Sequence, residues 1–176
     1  MGAPRVREGT GDGMTPRQVL VLTTGGTFDT VYADGGLAVG DPTAPWILAN
    51  ARVGDLVRVE PVLAKDSKEI TAGDRDLLLA RIRDAEASAV VVIHGTDTLT
   101  QTAEHLDGRC PEGTTVVLTR AMQPAAMRDT DASFNLGAAV LASQLLPAGV
   151  HVVMNGRAHR AGQVVKDRAR GVFVPR

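Results

Sequence analysis

Residues Val19 to Asp29 read VLVLTTGGTFD, and the interpretation of the chain turns on them. The apolar run Val19-Leu20-Val21-Leu22 has no polar interruption. Strands covered on both faces of a parallel sheet look like this. The run then breaks into threonines around Gly25 and Gly26. A strand ending in glycines suggests a phosphate-binding turn, but such turns have defined spacings. A dinucleotide loop needs G-x-G-x-x-G and a P-loop needs G-x-x-x-x-G-K-[ST]; neither is present. Two readings stay open from these residues alone. One is a tight turn with threonines as caps. The other is a loop in which a threonine hydroxyl is itself the reagent.

Outward from this strand the same kind of segment recurs. The strands expected are Gln18–Thr23, Leu56–Leu63, Ala89–Ile93, Thr115–Leu118 and Val150–Met154, rich in Val, Ile and Leu. Helical patterns lie between them. Thr71-Ala72-Gly73-Asp74 has capping-box spacing ahead of RDLLLARIRDAEA, where Leu78, Ile82 and Ala85 share a face and Arg75, Arg81 and Asp84 can stay wet. Further helices are expected over Pro42–Ala51, Thr98–Leu106 and Ser133–Leu146. Alternating strands and helices imply an α/β fold of three layers, α/β/α, with a mostly parallel sheet of flavodoxin-like or Rossmann-like type. The segment Phe28–Gly40, FDTVYADGGLAVG, is long for a connection and poor in apolar anchors, as lids or hairpins over a site are. Residues 1–17 are dominated by glycine, proline and charge and read as a flexible tail, leaving 18–176 as one domain.

Composition narrows the function classes. The 176 residues carry 19 basic and 20 acidic side chains, a net charge of −1, without the basic footprint of a nucleic-acid binder. Apolar runs fall far short of the roughly 20 residues that span a bilayer. The N-terminus lacks the apolar centre of a signal peptide, so a cytoplasmic protein is expected. The single cysteine, Cys110 in DGRCPEGT, reads as a plain loop thiol. His94, His105, His151 and His159 form no cluster with metal-ligand spacing.

Three strand ends carry reactive side chains: Thr23 to Thr27, Asp66-Ser67-Lys68-Glu69, and His94-Gly95-Thr96-Asp97-Thr98. In open α/β sheets ligands sit beyond such carboxyl ends. Taken alone, HGTDT is also a plausible helix start, with Thr96 or Asp97 as cap and Asp97 complementing the helix dipole.

Together, TGGT, DS and HGTDT in this order resemble the L-asparaginase family and its N-terminal, catalytic domain along nearly the whole ordered length. AMQPAAMRDTDASFNLGAAVLAS, Ala121 to Ser143, resembles the family segment where a methionine-containing loop leads into a helix beginning D-x-x-x-N-L, here with Asn135 and Leu136. VVMN, Val152 to Asn155, resembles the strand before the catalytic lysine, and Lys166 follows Asn155 by eleven residues. Tyr32 lies in the glycine-rich lid, where the family keeps a catalytic tyrosine.

The resemblance implies an amidohydrolase acting on L-asparagine with no metal or organic cofactor. It implies Thr24 as the attacking residue, Tyr32 closing over it to assist deprotonation, and Thr96, Asp97 and Lys166 as a second constellation. Substrate contacts would come from Gly25, Ser67, Lys68, Gly95, Thr96 and Asp97, with Ser67 on the α-carboxylate and Asp97 on the amino group. A threonine hydroxyl needs such activation, and a lysine acts as a base only when its pKa falls to roughly 7–8. Gly25 and Gly26 are expected to leave room for a substrate carbonyl. Backbone N–H groups near Gly95 and Thr96 suit an oxyanion hole. The family is oligomeric, so a homo-oligomer is expected, and it carries one uncommon left-handed crossover.

Two departures stand out. Family members have a smaller second domain that completes a neighbouring subunit's site, and the sequence to Arg176 holds none. Lys68 stands where many relatives have an uncharged polar residue, and it would repel a substrate ammonium. Weak affinity for asparagine is the expectation from both.

Overall fold

A computed structural model describes residues 17–33, 35–167 and 172–176. The expected tail therefore lies outside the described residues, apart from Arg17. In chain order the elements are β1 (Val19–Gly25), β2 (Thr30–Ala33), β3 (Gly36–Val39), α1 (Ala44–Asn50), β4 (Val57–Lys65), α2 (Ala72–Asp84), β5 (Ala89–Ile93), α3 (Leu99–Leu106), β6 (Thr115–Thr119), α4 (Ala132–Leu145), β7 (Gly149–Met154), β8 (Arg157–Arg160), β9 (Val164–Asp167) and β10 (Val172–Pro175).

Six strands form one sheet in the order β4-β1-β5-β6-β7-β8. β4 through β7 pair in parallel, and β8 adds antiparallel to the far edge. Every residue of β1, β5 and β6 is buried, which is what their uninterrupted apolar character requires. β4 lies at the other edge, where Pro61 is tolerated because one ladder side needs no donor.

Alternate side chains on each strand feed opposite layers. Leu20, Leu22, Val90 and Val92 pack with Leu78 and Ile82 of α2 and Leu99 and Leu106 of α3. Val19, Val21, Val91 and Val117 pack with Ile47 and Leu48 of α1 and Leu136 and Val140 of α4. The three-layer α/β/α expectation is met, and the start of α2 carries the expected capping box between Thr71 and Asp74. Arg75 is half-buried rather than wet, because its Nε donates to Thr102 Oγ1 at 2.9 Å and ties α2 to α3.

These layers fix the handedness of the connections. From β1 to β4 the chain steps one way along the sheet with α1 on one face. From β4 to β5 and from β5 to β6 it steps the other way with α2 and α3 on the opposite face, which is the same hand. From β6 to β7 it keeps that direction, yet α4 lies on the α1 face, so this crossover has the opposite hand. Right-handed connections make up about 98% of such units. β6–α4–β7 is therefore the left-handed one.

Two short ribbons stand outside the main sheet: β2–β3 and β9–β10. The first matches the expected lid segment. The strands β8, β9 and β10 were not expected. Their signal was present at Asn155-Gly156, whose φ values of 53 and 72 make the tight turn between β7 and β8. Asn-Gly between strands is a strong short-range hairpin cue.

Candidate active site

The ends of β1, β4 and β5 meet at the carboxyl edge of the sheet. On the β1–β4 ladder, Thr23 pairs with Pro61 but Gly25 pairs with Lys65, so the register slips around Thr24. Such irregularities re-aim a side chain. Thr24 is fully buried, and its Oγ1 donates to the Ile93 carbonyl at 3.0 Å. The nucleophile expected from the sequence thus rests against the last residue of β5.

The glycines after it have a structural job in the chain itself. Gly25 and Gly26 have φ of 87 and 73, which L side chains rarely adopt. A Cβ on Gly26 would lie 2.5 Å from Gly95 Cα, and one on Gly25 would lie 2.8 Å from Lys65 N. Gly26 thus brings the Thr24 loop onto the HGTDT loop, and Gly25 brings it against the end of β4 and Val39 of β3.

Ser67 continues that stack. It opens a short 3-10 turn, Ser67–Glu69, capped by the Asp66 carboxylate, which accepts from Lys68 N. A Cβ on Gly95 would lie 2.6 Å from Ser67 Cβ. Ser67 Oγ accepts from Asp97 N at 3.1 Å, and Ser67 O accepts from Thr98 Oγ1 at 2.6 Å. The Ser67 hydroxyl therefore keeps its own hydrogen for another acceptor. Thr98, not Thr96 or Asp97, is the N-cap of α3, and its side chain makes no cap bond. The capping role expected for Thr96 or Asp97 thus falls to Thr98, while Asp97, one residue before it, still lies at the positive end of α3.

Asp97 gathers the cations. Lys166, on β9, reaches Asp97 Oδ1 at 3.0 Å. Lys68 stands 3.8 Å from Asp97 Oδ2, with its side chain 74% exposed. Behind them His94 is buried, with Nδ1 2.9 Å from Gly95 O and Nε2 2.8 Å from Thr102 Oγ1. Gly95 O can only accept, so Nδ1 carries the hydrogen and Nε2 accepts from Thr102. Burial pushes this imidazole down to about 4, and it stays neutral at ordinary pH. His94 is a brace for the HGTDT loop.

Tyr32 is not drawn into this group. It lies on β2 and is 79% exposed. The ribbon is held at its base by Asp29, whose Oδ1 accepts from Thr43 N and Thr43 Oγ1 at 2.8 and 2.9 Å. Burial, opposed by these bonds, raises the Asp29 carboxyl above the usual range. Cys110 packs under α3, and burial pushes its thiol up to about 11, which fits a structural thiol. The residue that sequence reasoning missed is Arg120, fully buried directly after β6. The signal was an arginine following the apolar run TVVLT at the carboxyl edge.

A family model described as "Asparaginase, N-terminal" matches residues 18–173. An L-asparaginase of Bacillus licheniformis is 29% identical over 163 residues, which is 87% of this chain and 51% of that protein. A glutaminase-asparaginase of Acinetobacter glutaminasificans is 30% identical over 162 residues, 84% of this chain and 49% of that protein. The thermostable L-asparaginase from Thermococcus kodakarensis superposes with a TM-score of 0.77 at 28% identity, covering 89% of this chain and 50% of that one. The chain spans about half the length of the curated relatives it matches. Among the described residues no helix is long and apolar enough to cross a membrane. With its mostly parallel α/β sheet and with a family model matched over nearly all of the described chain, the protein belongs to the asparaginase family.

Proposed function

We propose that this domain is an amidohydrolase that converts L-asparagine to L-aspartate and ammonia through a threonine acyl-enzyme. Thr24 Oγ1 forms a bond to the side-chain amide carbon and gives up its proton with the help of Tyr32. The carbonyl oxygen takes up negative charge facing the N–H groups near Gly95 and Thr96. The C–N bond breaks, and ammonia leaves with a proton relayed through Thr96 and Lys166. Water then cleaves the ester, releasing aspartate and restoring the Thr24 hydroxyl. Ser67 and Asp97 hold the substrate's α-carboxylate and amino group.

The observation that carries this reading is the Lys166–Asp97 pair at 3.0 Å, next to Thr96 on a loop packed against the Thr24 loop. Two conditions follow for turnover. The Thr24 hydroxyl must leave the Ile93 carbonyl, and the β2–β3 ribbon must bring Tyr32 inward. Catalytic hydrogen bonds often form only in the substrate complex.

A second reading, hydrolysis of another small amide, is favoured by Lys68. Both oxygens of Asp97 face lysines, at 3.0 and 3.8 Å, where a substrate ammonium would compete. Ammonia release from asparagine, glutamine and succinamate, which lacks the α-amino group, separates the two. Weak saturation by asparagine with preference for it over succinamate supports the first reading; preference for succinamate supports the second. Thr24→Ala should abolish turnover of every amide while the fold persists, and near-normal turnover would exclude Thr24 as nucleophile. Assembly into a homo-oligomer belongs to the same proposal. Trp46, Leu141 and Leu145, each more than half exposed on α1 and α4, would supply the contact, and a light-scattering mass decides it.

A further inference from the structure

Arg120 is fully buried, yet a guanidinium is costly to remove from water unless it is paired and used. Its surroundings show the use. The guanidinium carbon lies 4.9 Å from the centre of the Phe173 ring, within cation–π range. Phe173 is the ladder partner of Lys166 across β9–β10. Directly opposite residues of an antiparallel pair project from the same face, so Arg120 rests on the face from which Lys166 emerges. The carboxylates whose charge favours the guanidinium are Asp131, before α4, and Asp97, the partner of Lys166. Burial outweighs them and brings the group to about 10, so it remains a cation at neutral pH.

We propose that Arg120 is a positioning residue for Lys166: stacked on Phe173, the ladder partner of Lys166, it fixes the ribbon face that carries Lys166 toward Asp97. A lysine exchanges a proton only with groups within hydrogen-bond reach, so the placement of this face decides what Lys166 can serve. Among the described residues, Lys68 stands 3.8 Å from Asp97, Asp167 follows Lys166 on its strand, and Glu104 of α3 pairs with Arg176, the residue after β10. The catalytic part of this inference rests on the amidohydrolase reading; the placement of Lys166 does not.

The chain has three lysines, Lys65, Lys68 and Lys166, so side-chain NMR of lysine-labelled protein resolves each. Arg120→Met should displace the Lys166 side-chain signal, because the ring under the ribbon face loses its support. Arg120→Lys should return that signal most of the way to its parent position. Lys65, held by Asp74 at 2.8 Å, should not respond. In active protein kcat should fall with KM little changed. A folded Arg120→Met in which the Lys166 signal stays where it is in the parent overturns the inference. If Arg120→Met does not fold, Arg120→Gln and Phe173→Leu are each read for the same displaced Lys166 signal; no change in either overturns it equally. If the parent releases no ammonia from any amide, the functional reading fails while the NMR result still decides the role of Arg120.

Discussion

The two ribbons outside the main sheet each carry one residue that the family resemblance implicates, and they are attached in opposite ways. β9–β10 buries Val164 and Phe173 in the layer formed by α2 and α3, and there Lys166 is held 3.0 Å from Asp97. β2–β3 puts Tyr32 and Leu37 into solvent, at 79% and 61% exposure, and is fastened at its base, where Gly40 N donates to Asp29 O at 2.8 Å. One group is installed by packing; the other sits on an element with little apolar area to hold it. Segments of that second kind open at low free-energy cost, as lids must. On the proposed reading the Lys166 side of the site is preorganised and the Tyr32 side has to be delivered.

The strongest way to break the comparison is Lys166→Met. If the installed group moves protons, kcat should fall by about 10²–10⁴, the usual range for a positioned acid or base, with the melting temperature little changed. Initial-rate kinetics beside a thermal melt test both halves; a fall in KM alone would remove Lys166 from the chemistry. The next largest effect is on stability. Phe173→Ala removes a buried ring that supports the docked ribbon, and should cost about 3–5 kcal/mol in urea unfolding. Leu37→Ala on the exposed ribbon should stay within about 0.5 kcal/mol. Equal costs at the two positions would mean that the ribbons are attached alike.

How well the sequence forecast each region follows the same division. The main sheet was legible because β1, β5 and β6 are buried on both faces, and that leaves an uninterrupted apolar run. The Thr71–Asp74 cap was legible because its chemistry is local. The polar strand ends were legible as a set, since the rule for open sheets points to them. Strands β8 to β10 were not, because RAHR and VVKD are too short and polar to show a period. Nor was the work of Gly25 and Gly26: spacing cannot say whether the neighbour of a glycine is a substrate or Gly95. Arg120 was invisible for a related reason. An arginine is ordinarily exposed, and only the packed structure shows this one set against Phe173.

His94 tests the scaffold under the preorganised side by pH. Its folded value, about 4, lies below the ordinary 6.5, so the unfolded chain binds a proton first as the solution is acidified. The contribution is complete above about 6.5 and is lost as pH falls toward 4. The 2.5-unit gap between those two values corresponds to on the order of 3 kcal/mol. Asp29 acts in the opposite sense, because its raised carboxyl takes up a proton more readily when folded. His94→Gln isolates the term: the parent should lose stability between pH 7 and 5 in urea titrations, and the variant should lose distinctly less. The same acid slope in both would show that the brace does not depend on a neutral imidazole.

The smallest effect belongs to the delivered side. Tyr32→Phe removes one hydroxyl from an exposed position, so unfolding should be unchanged to within about 0.5 kcal/mol. Its effect should appear only in turnover, because in the proposed mechanism the hydroxyl meets the reacting atoms only when the ribbon has closed. A loss of roughly tenfold to a hundredfold in kcat is expected, at the low end of acid–base contributions, with KM less affected. Tyr32→Ala should then also raise KM, since the ring as well as the hydroxyl would be lost from the closed state. If Tyr32→Phe and Tyr32→Ala both turn over asparagine like the parent, the ribbon is not delivering a catalytic group. The comparison would then come down to an anchored ribbon that serves the site and a free one that does not.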